Sequence, residues 1–90
     1  MPSCEITIIN KLGLHARAAA KFVGVANRFP CDVRVGRCPE TLVDGKSIMA
    51  VMMLAASKGT TLHLQADGEQ EQEVINALVA LIEDYFEEGE

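Results

Sequence analysis

The sequence predicts a two-layer α+β fold, a four-stranded antiparallel sheet covered on one face by three helices. Three observations carry this prediction. Short alternating or β-branched segments recur between Gly, Pro and Asp-Gly turn signals, three other segments place apolar residues at helical spacing, and the order along the chain is β-α-β-β-α-β-α. Alternation leaves one sheet face polar, which an antiparallel sheet permits. The three helices then bury the other face. At 90 residues the chain forms one domain, 1–90, with no repeat, linker or low-complexity segment.

The first strand is expected at Glu5-Ile6-Thr7-Ile8-Ile9, followed by a loop over residues 10–13. Ala16, Ala19, Ala20, Val23 and Ala26 then recur as one face of a helix over residues 16–27. It must stop before Pro30, with Phe29 turning into the core. Residues 33–36 and 41–43 form two short strands joined through Arg37-Cys38-Pro39-Glu40, and Asp44-Gly45 marks a turn. Ser47 is placed to cap a short helix over residues 48–56, closed by Lys58-Gly59. Residues 60–66 alternate again, with Leu62, Leu64 and Ala66 on one face and His63 on the other. After the Asp67-Gly68 turn, Val74, Leu78, Leu81, Ile82 and Tyr85 form an apolar stripe on a helix over residues 71–86. Acids in its first turn suit the positive end of the helix dipole.

Composition removes several function classes. With 8 bases against 13 acids and 4% aromatics, the chain lacks the basic stripe and stacking platforms of a general nucleic-acid binder. No apolar run approaches the ~20 residues that span a bilayer, and residues 1–11 lack the pattern of a signal peptide, so a cytosolic protein without membrane insertion is expected. Cys4, Cys31 and Cys38 cannot all pair and form no C-x-x-C, which disfavours a disulfide framework and a thiol-redox role. His15, His63 and the scattered cysteines lack the close spacing of metal ligands, so no metal is expected. The charge is uneven. Residues 67–90 hold nine acids and no base, a solvated helix face and tail, while residues 1–66 hold eight bases and four acids. That positive excess suits an acidic partner or an anion.

Gly13-Leu14-His15-Ala16-Arg17 breaks two local rules. His15 takes the N-cap position that favours Ser, Thr, Asp or Asn, and Arg17 puts a cation in the first turn, against the dipole. Both choices make sense where an anion visits, because free amides at a helix start and a guanidinium together bind one. A neutral imidazole is also a nucleophile near neutral pH, able to take a phosphoryl group with the amides of Ala16 and Arg17 and the Arg17 side chain stabilising it. The plainer account makes His15 a helix cap and Arg17 a solvated cation. Physics alone points to an anion site and leaves the anion open.

Asn10-Lys11-Leu12-Gly13-Leu14-His15-Ala16-Arg17 resembles the active-site signature of the histidine-containing phosphocarrier (HPr) family. Gly45-Lys46-Ser47-Ile48-Met49 resembles its second signature, around a regulatory serine. Ala56-Ser57-Lys58-Gly59 before a strand, Asp67-Gly68 and the acidic-to-apolar last helix agree, so the resemblance covers essentially the whole chain. It implies the family's open-faced β-sandwich and phosphoryl relay in the phosphoenolpyruvate-dependent phosphotransferase system. His15 matches the histidine phosphorylated on Nδ1, Arg17 the stabilising arginine, enzyme I is the donor and an enzyme IIA the acceptor, with no cofactor. Ala18 stands where many relatives have Pro, a first-turn position that accepts either residue. The Asn-Lys-Leu-Gly opening and acidic C-terminus look more like the nitrogen-related branch (NPr) than the sugar-transport branch.

Ser47 is first a helix cap, and by resemblance a target of the HPr kinase/phosphorylase. Phosphorylation there adds about −1.5 to −2 charge. Residues 48–56 are nine consecutive apolar residues, of which about half are expected in the core. The resemblance places the outer ones, Ile48, Met49 and Met52, beside His15 as a docking patch faced by Ala20. His63 reads as a solvated sheet residue. A monomer is expected. The competing function is a regulatory binding module that acts through the methionine patch, switched at Ser47 or His15.

Overall fold

A computed structural model describes residues 3–87. The elements run β1 (Ser3–Thr7), α1 (Ala16–Ala26), β2 (Asp32–Gly36), β3 (Val43–Asp44), α2 (Ile48–Met53), β4 (Thr61–Asp67) and α3 (Glu71–Glu83), with a closing 3-10 turn at Tyr85–Glu87. The four strands form one antiparallel sheet in the order β1-β4-β2-β3. Leu62, Leu64 and Ala66 of β4 and Val33 and Val35 of β2 point into the helix layer, where Phe22, Val51, Val74, Leu78 and Ile82 meet them. Glu5 and His63 are cross-strand partners on the open face. The predicted two-layer architecture is the one observed.

Several boundaries and side-chain placements differ from expectation, each for a packing reason. β1 is Ser3–Thr7 instead of residues 5–9, although Ile8 still exchanges backbone bonds with Thr60 (2.9 Å) and Gly59 (2.8 Å). β3 is Val43–Asp44 instead of residues 41–43, because the Thr41 amide closes a turn onto Cys38 O at 3.1 Å. β4 runs one residue later than expected, Thr61–Asp67. The α1 stripe is Ala18, Ala19, Phe22, Val23 and Ala26, with Ala16 and Ala20 exposed. Fully burying the large Phe22 ring turns the helix by about one position relative to the alanine pattern.

At the C-terminal end, α3 stops at Glu83 rather than continuing through Phe86. Tyr85 and Phe86 both adopt a left-handed φ of 54°, which drives Phe86 fully into the core and leaves Tyr85, expected in the stripe, 39% exposed. Two left-handed residues cost about 2–4 kcal/mol together, most of which the ~1.5–3 kcal/mol gained by burying Phe86 offsets. Lys21 Nζ adds a 2.7 Å bond to Phe86 O across the helix layer. The expected acidic tail over residues 88–90 lies outside the described residues.

Candidate functional site

The chain reaches His15 through a loop fixed at both ends of one peptide unit. Asn10 is fully buried. Its backbone carbonyl accepts from the Gly13 N–H at 3.2 Å, and its side-chain Nδ2 donates to Gly13 O at 2.8 Å. The next amide, Leu14 N–H, donates to Ala56 O at 2.7 Å. Gly13 has a φ of +69°, and a Cβ there would lie 2.6 Å from Ala56 O and 2.7 Å from Ser57 Cα. Both the dihedral and the close approach require glycine. The loop is therefore seated on residues 56–57, just beyond α2.

His15 is the N-cap of α1, in extended conformation (φ −79°, ψ −179°). Its carbonyl accepts from Ala19 N–H at 2.8 Å, and its ring Nδ1 accepts from Arg17 N–H at 3.3 Å. A nitrogen that accepts a hydrogen bond presents its lone pair, so this geometry matches the tautomer protonated on Nε2, with the lone pair on Nδ1. The first turn holds no acid. Arg17 is exposed, and its guanidinium has no ion pair among the described residues. The Arg17 amide thus faces Nδ1, and the Ala16 amide at the same helix start has no intrahelical acceptor.

Ser47 caps α2, its Oγ accepting from Ala50 N–H at 3.3 Å. The adjoining turn is tied down by Lys46, whose amide donates to Asp44 Oδ1 (2.9 Å) and whose Nζ donates to Phe29 O (2.7 Å). The helix ends at Met53, not Ala56, because Ala55 turns left-handed (φ 52°) and the Ala56 carbonyl is committed to Leu14. About half of the apolar run faces inward, with Leu54 packed partly buried against the core and Ala50 half-buried. Only Val51 and Ala56 are buried, while Ile48 (41%), Met49 (69%), Met52 (41%) and Met53 (79%) are exposed. α1 packs against α2, and Ala20 is exposed on α1.

Three residues of this region were missed by sequence reasoning. Leu12, 70% exposed, and Met53 add to the apolar surface, and Asn10 fixes the loop. A lone Leu between Lys11 and Gly13 was the only local signal for the first. His63 is half-exposed on the open sheet face, across the sheet from the helix layer that carries His15. A groove of about 400 Å³ on that face, lined by Cys4, Glu5, Leu42 and His63 among others, includes none of the candidate site residues. Burial pushes the Cys4 thiol pKa up, which lowers its thiolate character. Among the described residues no group of three His, Cys, Asp or Glu side chains is arranged to hold a metal.

This geometry has close relatives. The family described as the PTS HPr component phosphorylation site matches residues 2–84. The phosphocarrier protein HPr of Pseudomonas aeruginosa is 77% identical over 100% of both chains, and the phosphocarrier protein NPr of Escherichia coli is 35% identical over 92% of both. The crystal structure of HPr from Thermoanaerobacter tengcongensis, 45% identical, aligns over 98% of both chains with a TM-score of 0.91. The same protein solved as a dimer aligns over 96% of this chain and 98% of that one with a TM-score of 0.74. A histidine-capped helix resting on a one-sided sheet, carried by a sequence that matches along nearly its whole length, places this chain in the HPr family of phosphotransferase-system phosphocarriers.

Proposed function

We propose that His15 Nδ1 accepts a phosphoryl group from phosphorylated enzyme I, charged by phosphoenolpyruvate, and passes it to an enzyme IIA. The observation that carries this reading is the Nδ1 lone pair held at the start of α1 by the Arg17 amide. In the transfer, that lone pair attacks phosphorus as the bond to the donor breaks, and the bonding electrons return to the donor. The Arg17 N–H gives up Nδ1 and becomes available to a phosphoryl oxygen, with the Ala16 amide and the Arg17 guanidinium beside it. One preformed amide cluster thus serves the free and the phosphorylated states.

The exposed side chains of Ala20, Ile48, Met49 and Met52 support a docking surface for donor and acceptor in turn. Unbranched, polarisable methionines suit a surface that must fit more than one partner. Ser47 is proposed as a regulatory site, the target of an HPr kinase/phosphorylase, because phosphate there would place negative charge on the helix beside that surface. The protein acts as a cytoplasmic monomer. No described helix is long and apolar enough to cross a membrane.

The Asn-Lys-Leu-Gly opening and the acidic C-terminus favour the nitrogen-related system. A sugar-transport role is the second reading, supported by the higher identity to a relative named HPr than to one named NPr.

The test is intact-mass analysis after incubation with phosphoenolpyruvate and either a sugar-type or a nitrogen-type enzyme I. Wild type should gain one acid-labile phosphate and His15→Ala none, with the faster donor identifying the branch. Ser47→Asp in the same assay should take up phosphate more slowly than wild type. A folded wild type that gains no phosphate from either donor would favour the binding-module account.

A further inference from the structure

We infer that Asn10 is a positioning residue for phosphoryl transfer, holding the peptide unit that aims His15; the inference rests on the His15 reading above. Asn10 is fully buried, yet its Oδ1 has no hydrogen-bond partner among the described residues. An amide buried with half of its capacity idle is a poor choice for stability alone, because the desolvated carbonyl is left uncompensated. The other half of the side chain is used. Nδ2 donates to Gly13 O at 2.8 Å, and this acceptor fixes the amide orientation, since the flipped form would set two carbonyl oxygens against each other.

The acceptor is the carbonyl of the Gly13-Leu14 peptide. The amide of that same peptide donates to Ala56 O at 2.7 Å. One rigid plane is thus gripped at its C=O by Asn10 and at its N–H by the segment after α2. Leu14, whose side chain is buried, leaves little freedom between that plane and His15. On the helix side, the Arg17 amide donates to Nδ1 at 3.3 Å. Asn10 constrains the approach to His15 from the loop side. Its hydrogen bond is to the Gly13 carbonyl, so it acts through the backbone.

The test compares Asn10→Ala and Asn10→Leu, the second retaining side-chain bulk, with Val74→Ala, a core truncation in α3. Two readouts are taken: the rate of phosphoryl uptake from enzyme I, and amide hydrogen exchange at Leu14 and Arg17. Both Asn10 variants should take up phosphate at least about tenfold more slowly and exchange the two amides at least about tenfold faster, while Val74→Ala keeps both within about twofold of wild type. Asn10 variants that match wild type in uptake and exchange would overturn the inference. So would losses of equal size in Val74→Ala, which would mark them as general destabilisation. If wild type accepts no phosphate, the His15 reading fails while the exchange data still decide whether Asn10 orders the loop.

Discussion

His15 Nδ1 both caps α1 and, in the proposed reaction, attacks phosphorus. Asp or Ser would cap this helix by about 1 kcal/mol more firmly than a poor capping residue, but neither presents an imidazole lone pair at the helix start. A weak cap at 3.3 Å is the better compromise, because the bond must be surrendered to the incoming group. Glu71 shows the opposite case, a residue whose contact serves folding. The Gly68 N–H donates to its Oε1 at 3.0 Å and holds the carboxyl below the ordinary value of 4.5. A carboxyl lowered on folding stabilises the native state above its unfolded value, and that contribution is lost as pH falls through the folded value. Glu71→Gln should therefore lower the thermal midpoint at neutral pH, with the two midpoints converging as the pH falls below the ordinary carboxyl value and Glu71 protonates. A difference that persists unchanged at low pH would show that the charge is not the cause. His15, Arg17 and Ser47 stood out in the sequence because they occupy helix starts, where local rules are explicit. Asn10 did not, because its work is done through a contact that only the folded loop creates.

α2 illustrates how little periodicity says about a helix with no polar side. Nine apolar residues in a row gave no preferred face, and the structure buries only Val51 within the helix while exposing Ile48, Met49, Met52 and Met53. Its length was also undetermined by pattern. Ala55 takes a left-handed turn so that Ala56 can meet Leu14, a requirement imposed from another part of the chain. Exposed methionines on a short helix contribute little to folding, so substitution there separates docking from stability. Met49→Glu should change stability by no more than about 0.5 kcal/mol and slow transfer from enzyme I by about tenfold or more. Thermal unfolding and uptake kinetics measured on the same preparation check both halves. Undiminished uptake would remove Met49 from the docking surface. In α1 the alanine spacing identified the helix, yet Phe22 set its rotation.

At the scale of the molecule, one core is shared by all elements, so its largest members carry disproportionate stability. Phe86 is fully buried although it follows α3 in a strained turn. Phe86→Ala should cost about 3–5 kcal/mol, a large share of the ~5–15 kcal/mol typical of a whole domain, and chemical denaturation would show it as a lower midpoint. A loss below about 1 kcal/mol would mean that the turn is held by its backbone, including the Lys21 bond to Phe86 O, and not by the ring. The sequence by itself determined the element order, the one-sided sheet and the histidine-capped helix start, because alternation, helical periodicity and capping are local properties. Tertiary structure alone decided the rotation of α1, the ends of α2 and α3 and the clamp that Asn10 places on the loop before His15. Each of those depends on which distant backbone or ring fills a space, and residues far apart in the chain meet there only after folding.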